Sequence, residues 1–432
     1  MNTEKKNEEI LILGGGIAGI SAAYHLDLNG YSNCVFEGRS IAGGLVSNFE
    51  VSGFRFDHAI HMSFSNIDYV KKIWARTPYI SHRPDAFCLE RSVWLKHPVQ
   101  NNLYPLPTSD KVDLIESFID RPNISPANYR DWLYHQYGSG ISKRFPIPYT
   151  RKYWCVEPEA LTIDWIGNRM RRANIHEVLA GAFEDKDENQ FYASEMRYPA
   201  KGGYFEFVKE ITESVNLYCN KLVKKIDVKK KLVSCSDGSS TKYKHLISSL
   251  PLPIICNMID SCPKEVLSAA NRLKWTTVDL ISIGFRKPDV SPYLWFYLYD
   301  ESNLASRAYS PSMKSPNNAP KDCSSLQFEI YNLCTNPKLD PELLKQNILE
   351  HLLAMGICEE EDIIFMHHKH LPFGNVIFDH EMRANRKTVI NYLEGAGIFS
   401  CGRFGEWDYL WSDQSFMSGK KVSQKLASCL ED

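Results

Sequence analysis

No C-x-x-C pair occurs among the twelve cysteines of this 432-residue chain. Cys34, Cys88, Cys155, Cys219, Cys235 and the rest are scattered, which reads as reduced thiols in a cytoplasmic protein rather than a disulfide framework. A bias toward one charge sign is missing too: the formal net charge is -2, which argues against a nucleic-acid partner. No apolar run is long enough to span a membrane. The N-terminal MNTEKKNEE is polar, and the apolar stretch after it is too short and glycine-rich for a secretory signal, so a soluble cytoplasmic protein is expected. His367, His368 and His370 lie in a probable strand whose neighbours point to opposite faces, and no second cluster accompanies them, so no metal is expected. Internal repeats, low-complexity segments and any acid-base triad or nucleophile motif are likewise absent.

What remains is an ordinary globular composition, 44% hydrophobic and 24% charged, in a chain longer than one core usually supports. Two interlocked domains are expected. The 12% of aromatic residues could furnish stacking surfaces for a heteroaromatic ligand or could be core.

The N-terminal text is a complete β-turn-α-β unit. A short apolar run, Glu9 to Leu13, meets the glycines Gly14 to Gly19; helical spacing follows from Ile20 to Leu28, and Asn29-Gly30 stops it. A second strand, Cys34 to Phe36, ends at Glu37. Helical text runs from Thr108 to about Phe191. Strands follow at Val215 to Tyr218, Lys221 to Val228 and Leu232 to Ser236, then alternating stretches at Thr276 to Arg286 and Leu294 to Tyr299.

Gly14, Gly16 and Gly19 have G-x-G-x-x-G spacing directly after a strand and opening a helix. Gly14 allows the tight turn, Gly16 lets the backbone approach a pyrophosphate, and Gly19 packs helix on strand. Glu37, about twenty residues on, can accept hydrogen bonds from an adenosine ribose, and its charge opposes a 2'-phosphate. The choice between FAD and NAD needs a further feature.

That feature is Glu37-Gly38-Arg39-Ser40-Ile41-Ala42-Gly43-Gly44, which resembles the loop of glutathione-reductase-like flavoproteins, in the branch holding protoporphyrinogen oxidase, amine oxidases, phytoene desaturase and UDP-galactopyranose mutase. Gly402-Arg403 with Asp413-Gln414-Ser415 resembles that branch's closing FAD motif. The resemblance implies FAD held by Gly14, Gly16, Gly19, Glu37, Arg39, Gly43, Gly44, Val223, Gly402, Arg403, Asp413, Gln414 and Ser415. It also implies an α/β fold: a Rossmann FAD-binding domain (1–85, 200–262 and 391–432) interleaved with a mostly helical substrate region (86–199) and a mostly antiparallel sheet domain (263–390).

Tyr149-Thr150-Arg151-Lys152-Tyr153-Trp154 matches the Y-T-x-K-x-W segment of UDP-galactopyranose mutases, whose aromatic residues help bind uridine. By that resemblance Arg169, Arg171 or Arg172 supplies one diphosphate-binding arginine and Arg307 the other, while Tyr409 joins Tyr149 and Trp154 at the substrate. The run Asp57-His58-Ala59-Ile60-His61 resembles a D-x-G-x-H stretch along the flavin, with Ala59 in the glycine position and His61 as the flavin-proximal histidine. His61, Arg307 and Arg172 would then support chemistry carried by the reduced flavin's N5: ring isomerisation of a UDP-sugar for cell-surface polysaccharide synthesis, with NAD(P)H or another donor reducing the FAD. The departures are a looser spacing of Tyr409, Trp411 and Asp413 and a greater length. They keep a second class open, an FAD-dependent oxidoreductase that abstracts a hydride from an amine, porphyrinogen or carotenoid. A small-molecule substrate is expected, and the sequence leaves oligomeric state open, with a homodimer as the candidate.

Overall fold

Ile10, Leu11, Ile12 and Leu13 are all essentially inaccessible to solvent, as a strand covered on both faces must be. They end strand β1 (Lys6–Leu13), which lies between the parallel strands β2 (Tyr31–Phe36) and His245–Ser248. Leu217–Tyr218 and Ile398–Ser400 complete a five-stranded parallel sheet on either edge. The structure, a computed structural model, describes residues 6–431 except 168, 171–173, 186–192 and 194.

One face of this sheet carries helix α1 (Ile17–Leu28) and the C-terminal helix Ser412–Glu431, joined through Ala18, Ala22, Leu26, Val422 and Leu426. They approach closely because small residues meet there: a Cβ on Gly419 would lie 2.2 Å from the Ala18 carbonyl oxygen.

A seven-stranded sheet forms the second layer, in the order Ile363–Leu371, Thr276–Phe285, Ser324–Leu333, Arg307–Tyr309, Trp295–Leu298, Ala86–Glu90, Val93–Lys96. Its pairings are antiparallel except that between Trp295–Leu298 and Ala86–Glu90. Thr276–Phe285 pairs along its whole length with Ser324–Leu333. Ile281, Ile283, Phe328 and Ile330 pack with Leu344, Ile348 and Leu352 of the helix Pro341–Ala354. Together the two layers make the α/β architecture implied by the sequence. One boundary differs: residues 86–96, assigned to the helical region, are two strands of this sheet. They are short, and their register is set by Trp295–Leu298, some two hundred residues away, so local text does not reveal them.

The helical region proper holds Thr108–Ile119, Tyr129–Arg144, Pro146–Tyr153 and Ile175–Phe183. Asn128 and Asn174 cap the second and fourth by accepting the amides of Asp131 and Glu177. Between the two sheets and these helices lies a cavity of about 970 Å³.

Candidate functional site

The cavity begins at the carboxyl ends of the parallel strands, where open α/β sheets hold their ligands. Gly14 sits at φ +98°, its amide donating to the Phe36 carbonyl at 2.8 Å. Gly19 packs so tightly that a Cβ would lie 2.0 Å from the Gly14 carbonyl oxygen. Glu37 ties this turn to its own loop: one carboxylate oxygen accepts the Gly15 amide at 2.8 Å, the other the Arg39 amide at 2.9 Å. The two glycine loops also pair directly. The Gly43 amide donates to the Gly15 carbonyl at 2.7 Å, and Gly16 and Gly43 form a parallel bridge. A Cβ on Gly44 would come within 3.0 Å of the Gly16 Cα, and one on Gly43 within 2.8 Å of the Phe205 ring.

From the other side of α1, Gly402, at φ +80°, donates its amide to the Ser418 hydroxyl at 2.7 Å. Arg403 spans from the Leu410 carbonyl, 3.0 Å, to the Asn375 side-chain oxygen, 2.7 Å. Gly16, Ile17 and Ala18 at the start of α1, and Ser412, Asp413 and Ser415 at the start of the C-terminal helix, line the cavity. Two helix N-termini therefore direct free amides and positive dipole ends into one space. This cradle could hold a dinucleotide pyrophosphate. Gly14, Gly16, Glu37, Arg39, Gly44, Gly402, Arg403, Asp413 and Ser415 line it, whereas Gly19 and Gly43 act by shaping the turns. Two further assigned residues do not line the cavity. Gln414 turns back to accept the Trp411 amide at 2.9 Å, and Val223 is buried at the start of a separate three-stranded antiparallel sheet.

The segment 57–61 crosses the middle of the cavity wall. Asp57 is wholly buried and bound by the Lys314 ammonium at 2.5 Å, the Tyr198 hydroxyl at 2.7 Å and the Tyr204 amide at 3.0 Å. Burial alone would raise its carboxyl, but the paired Lys314 overrides this and holds it below the ordinary value. Ala59 adopts φ +72°, which explains why a glycine suits this position. Ala59→Gly is accordingly expected to stabilise the protein by about 0.5–1 kcal/mol, relief of left-handed strain outweighing the glycine's extra unfolded-state entropy. A higher urea midpoint checks it; a lower one would count against the left-handed backbone. Past this turn the Ile60 amide donates to Glu329 at 2.6 Å, and His61 faces the cavity with Nδ1 3.1 Å from the Ala59 carbonyl. That carbonyl can only accept, so Nδ1 carries the proton, and burial pulls the ring down to about 4, leaving it neutral near pH 7.

Arg307 enters from the central sheet. Its Nε donates to the fully buried Glu329, its Nη2 to the Tyr331 hydroxyl at 3.1 Å, and Tyr331 in turn donates to Glu329 at 2.6 Å. Burial opposes the charge on Arg307, but Glu329 and the surrounding tyrosines more than offset it, and its affinity for the proton is raised. Tyr149 stacks on Tyr153 at 5.4 Å and meets Tyr297 edge-on at 5.4 Å. Trp154, only 3% exposed, belongs chiefly to the core against Trp165 and Phe378. Arg169 donates to the Tyr409 carbonyl and lies 4.6 Å and 4.7 Å from the ring centroids of Tyr409 and Trp411. Tyr149, Trp154, Arg169, Arg307 and Tyr409 thus share one cavity wall, while Arg171 and Arg172 lie outside the described residues.

Sequence reasoning missed Glu329, Lys314, Tyr153 and Asn375. The first left a signal: Gln327, Glu329 and Tyr331 alternate with Leu326, Phe328 and Ile330, marking a polar face opposite an apolar one. Among the described residues no group of three His, Cys, Asp or Glu side chains could hold a metal. His368 and His370 both bond Asp279, at 2.7 Å and 2.9 Å. No helix among them is long and apolar enough to cross a membrane.

The family model for flavin containing amine oxidoreductases matches residues 156–371, half of the chain, and that for NAD(P)-binding Rossmann-like domains matches residues 12–77. A 50-residue stretch is 44% identical to 1-hydroxycarotenoid 3,4-desaturase of Flavobacterium sp. (strain P99-3) and 42% identical to 4,4'-diaponeurosporene oxygenase of Staphylococcus aureus. Those matches cover 12% of this chain and about a tenth of the relatives' length. Among solved structures, reduced UDP-galactopyranose mutase superposes with a TM-score of 0.92 at 24% identity, over 98% of this chain and 96% of that one. A putative protoporphyrinogen oxidase from Exiguobacterium sp. 255-15 gives 0.75 at 14% identity, over 99% and 100%. Putrescine oxidase gives 0.66 at 12% identity, over 98% and 100%. At these identities the likenesses establish the fold.

Proposed function

The chain belongs to the flavin containing amine oxidoreductases, and from that premise we propose that it isomerises the ring of a nucleoside-diphosphate sugar, as a UDP-galactopyranose mutase does. It is a flavoenzyme, and its cofactor is FAD. The observation that carries the proposal is the pair of guanidinium groups, Arg169 and Arg307, that line a tyrosine-rich cavity. A carotenoid or porphyrinogen core has no use for them, and an amine substrate would be repelled. A diphosphate matches them, each charge-assisted bond contributing roughly 1.5–3 kcal/mol. The whole-length likeness to the mutase fold supports the same reading.

When bound and reduced, the flavin supplies a nucleophilic nitrogen at N5. Arg307, held by Glu329, would bind the diphosphate in the substrate and steady its charge as it departs, with Arg169 or the neighbouring arginines on the other side. Tyr149 and its aromatic neighbours offer the base a stacking surface. His61, neutral, donates its Nδ1 proton to the backbone and so offers the cavity an acceptor rather than a charge. The change of ring size is redox-neutral, consistent with precursor supply for cell-surface polysaccharide.

A second reading, hydride abstraction by an oxidoreductase, draws on the family model and on the aromatic and apolar lining of Tyr129, Tyr137, Ile141 and Trp165. One experiment separates the two. Dithionite-reduced protein is incubated with UDP-, dTDP- and GDP-hexoses and the products resolved by chromatography. Conversion that needs reduction is expected; no conversion, together with bleaching of the oxidised flavin by an amine or porphyrinogen, would transfer the assignment to the oxidoreductase.

A further inference from the structure

We infer that Asn375 is a positioning residue that joins the cofactor loop to the substrate-side tyrosines. The inference rests on the functional reading above, in which Tyr149 and Tyr409 face the substrate.

Asn375 lines the cavity yet is 3% exposed. Its backbone is pinned at both polar atoms: its amide donates to the Thr276 hydroxyl at 2.9 Å, and its carbonyl accepts the Thr276 amide at 2.8 Å. The side chain therefore projects from a fixed point at the start of the strand Thr276–Phe285. Its oxygen accepts two bonds, from Arg403 Nη2 at 2.7 Å and from the Tyr153 hydroxyl at 3.3 Å. Tyr153 in turn lies 3.1 Å from the Tyr409 hydroxyl.

The chemistry of these atoms orders the protons. An amide oxygen bonded to a guanidinium can only accept, so Tyr153 donates to it. The Tyr153 oxygen is then left to accept, so Tyr409 donates to Tyr153. One oxygen atom thereby fixes the arginine that follows the Gly402 turn and sets the direction of a two-tyrosine chain reaching the substrate wall. Tyr153 also carries this register onward, since the Arg307 guanidinium lies 5.3 Å from its ring centroid. Such chains respond as units, so deletions within one should not add.

The test compares Asn375→Leu, Asn375→Asp, Tyr153→Phe and the Asn375→Leu/Tyr153→Phe double variant as FAD-loaded proteins, titrated with UDP while the flavin spectrum is recorded. Asn375→Leu is expected to weaken UDP binding about tenfold, and the double variant no further than the stronger single. Asn375→Asp keeps an acceptor oxygen at the same point and should stay within about threefold of wild type; because leucine fills a similar volume, a loss in Asn375→Leu that Asn375→Asp does not share excludes a void-filling role. Wild-type affinity in Asn375→Leu, or additive losses in the double, would overturn the inference. Should the wild type not bind UDP, the functional reading falls instead. FAD titration of the apoproteins then decides the positioning role: about tenfold weaker FAD binding in Asn375→Leu sustains it, and unchanged binding ends it.

Discussion

Arg307→Ala is expected to keep the yellow FAD spectrum and to weaken UDP binding by about tenfold to a hundredfold. The lower bound is one lost charge-assisted bond of roughly 1.5 kcal/mol, the upper a bidentate contact. A complication comes from Glu329, which is fully buried and accepts from Arg307, Tyr331 and the Ile60 amide. Removing the arginine alone strands a buried carboxylate, a change that costs about 3–5 kcal/mol in comparable pairs. A drop in thermal midpoint should therefore accompany the affinity loss. The Arg307→Ala/Glu329→Gln double variant separates the effects: it should recover much of the midpoint, because the neutral amide can still serve Tyr331, while UDP binding stays weak. UDP affinity near wild type in a well-folded double variant would remove Arg307 from the substrate site and, with it, the main support for a nucleotide sugar.

How far the sequence reaches is clear from the contrast between Arg307 and Glu329. Arg307 is legible because its segment matches the place of the family's second diphosphate-binding arginine. Glu329 gained its meaning only when Ile60, some two hundred and seventy positions earlier, brought its amide to the same carboxylate. The glycine loops were legible because their constraints are backbone constraints. Gly14 and Gly402 need left-handed φ, and Gly19 needs the absence of a Cβ, so one letter carries the whole requirement. The pairing of Gly43 with Gly15 and Gly16, by contrast, is a contact between two such loops and no single letter records it. Ala59 falls between these cases: its departure from glycine was visible, and the structure supplies the reason in its positive φ. Val223 and Gln414, which the resemblance places at the cofactor, do not line the cavity: one begins a separate sheet and the other accepts the Trp411 amide. Lys314 was invisible throughout. A lysine beside a proline and serines reads as surface, yet it is wholly buried against Asp57 with the rings of Tyr198 and Tyr309 each 4.4 Å from its nitrogen.

Gly16→Val should abolish FAD binding, with affinity reduced on the order of a hundredfold or more, while leaving the fold intact. The φ of -77° and ψ of 173° at Gly16 suit any residue, unlike those of Gly14. A Cβ there would meet nothing closer than the Gly44 Cα at 3.8 Å, an ordinary contact, whereas a Cβ on Gly19 would strike the Gly14 carbonyl oxygen. Protein packing therefore demands glycine at 19 and does not at 16. We propose that the space in front of Gly16 is left for the cofactor, whose pyrophosphate would come close to the backbone between the two helix N-termini. A β-branched side chain would fill that approach. The matched experiment sets Gly16→Val beside Gly19→Val. The first should purify colourless with the circular dichroism and cooperative melting of apoprotein; the second should be unstable with or without FAD. A yellow, FAD-replete Gly16→Val protein would mean that the pyrophosphate lies elsewhere in the cavity, and the assignment of the glycine turn would have to be given up.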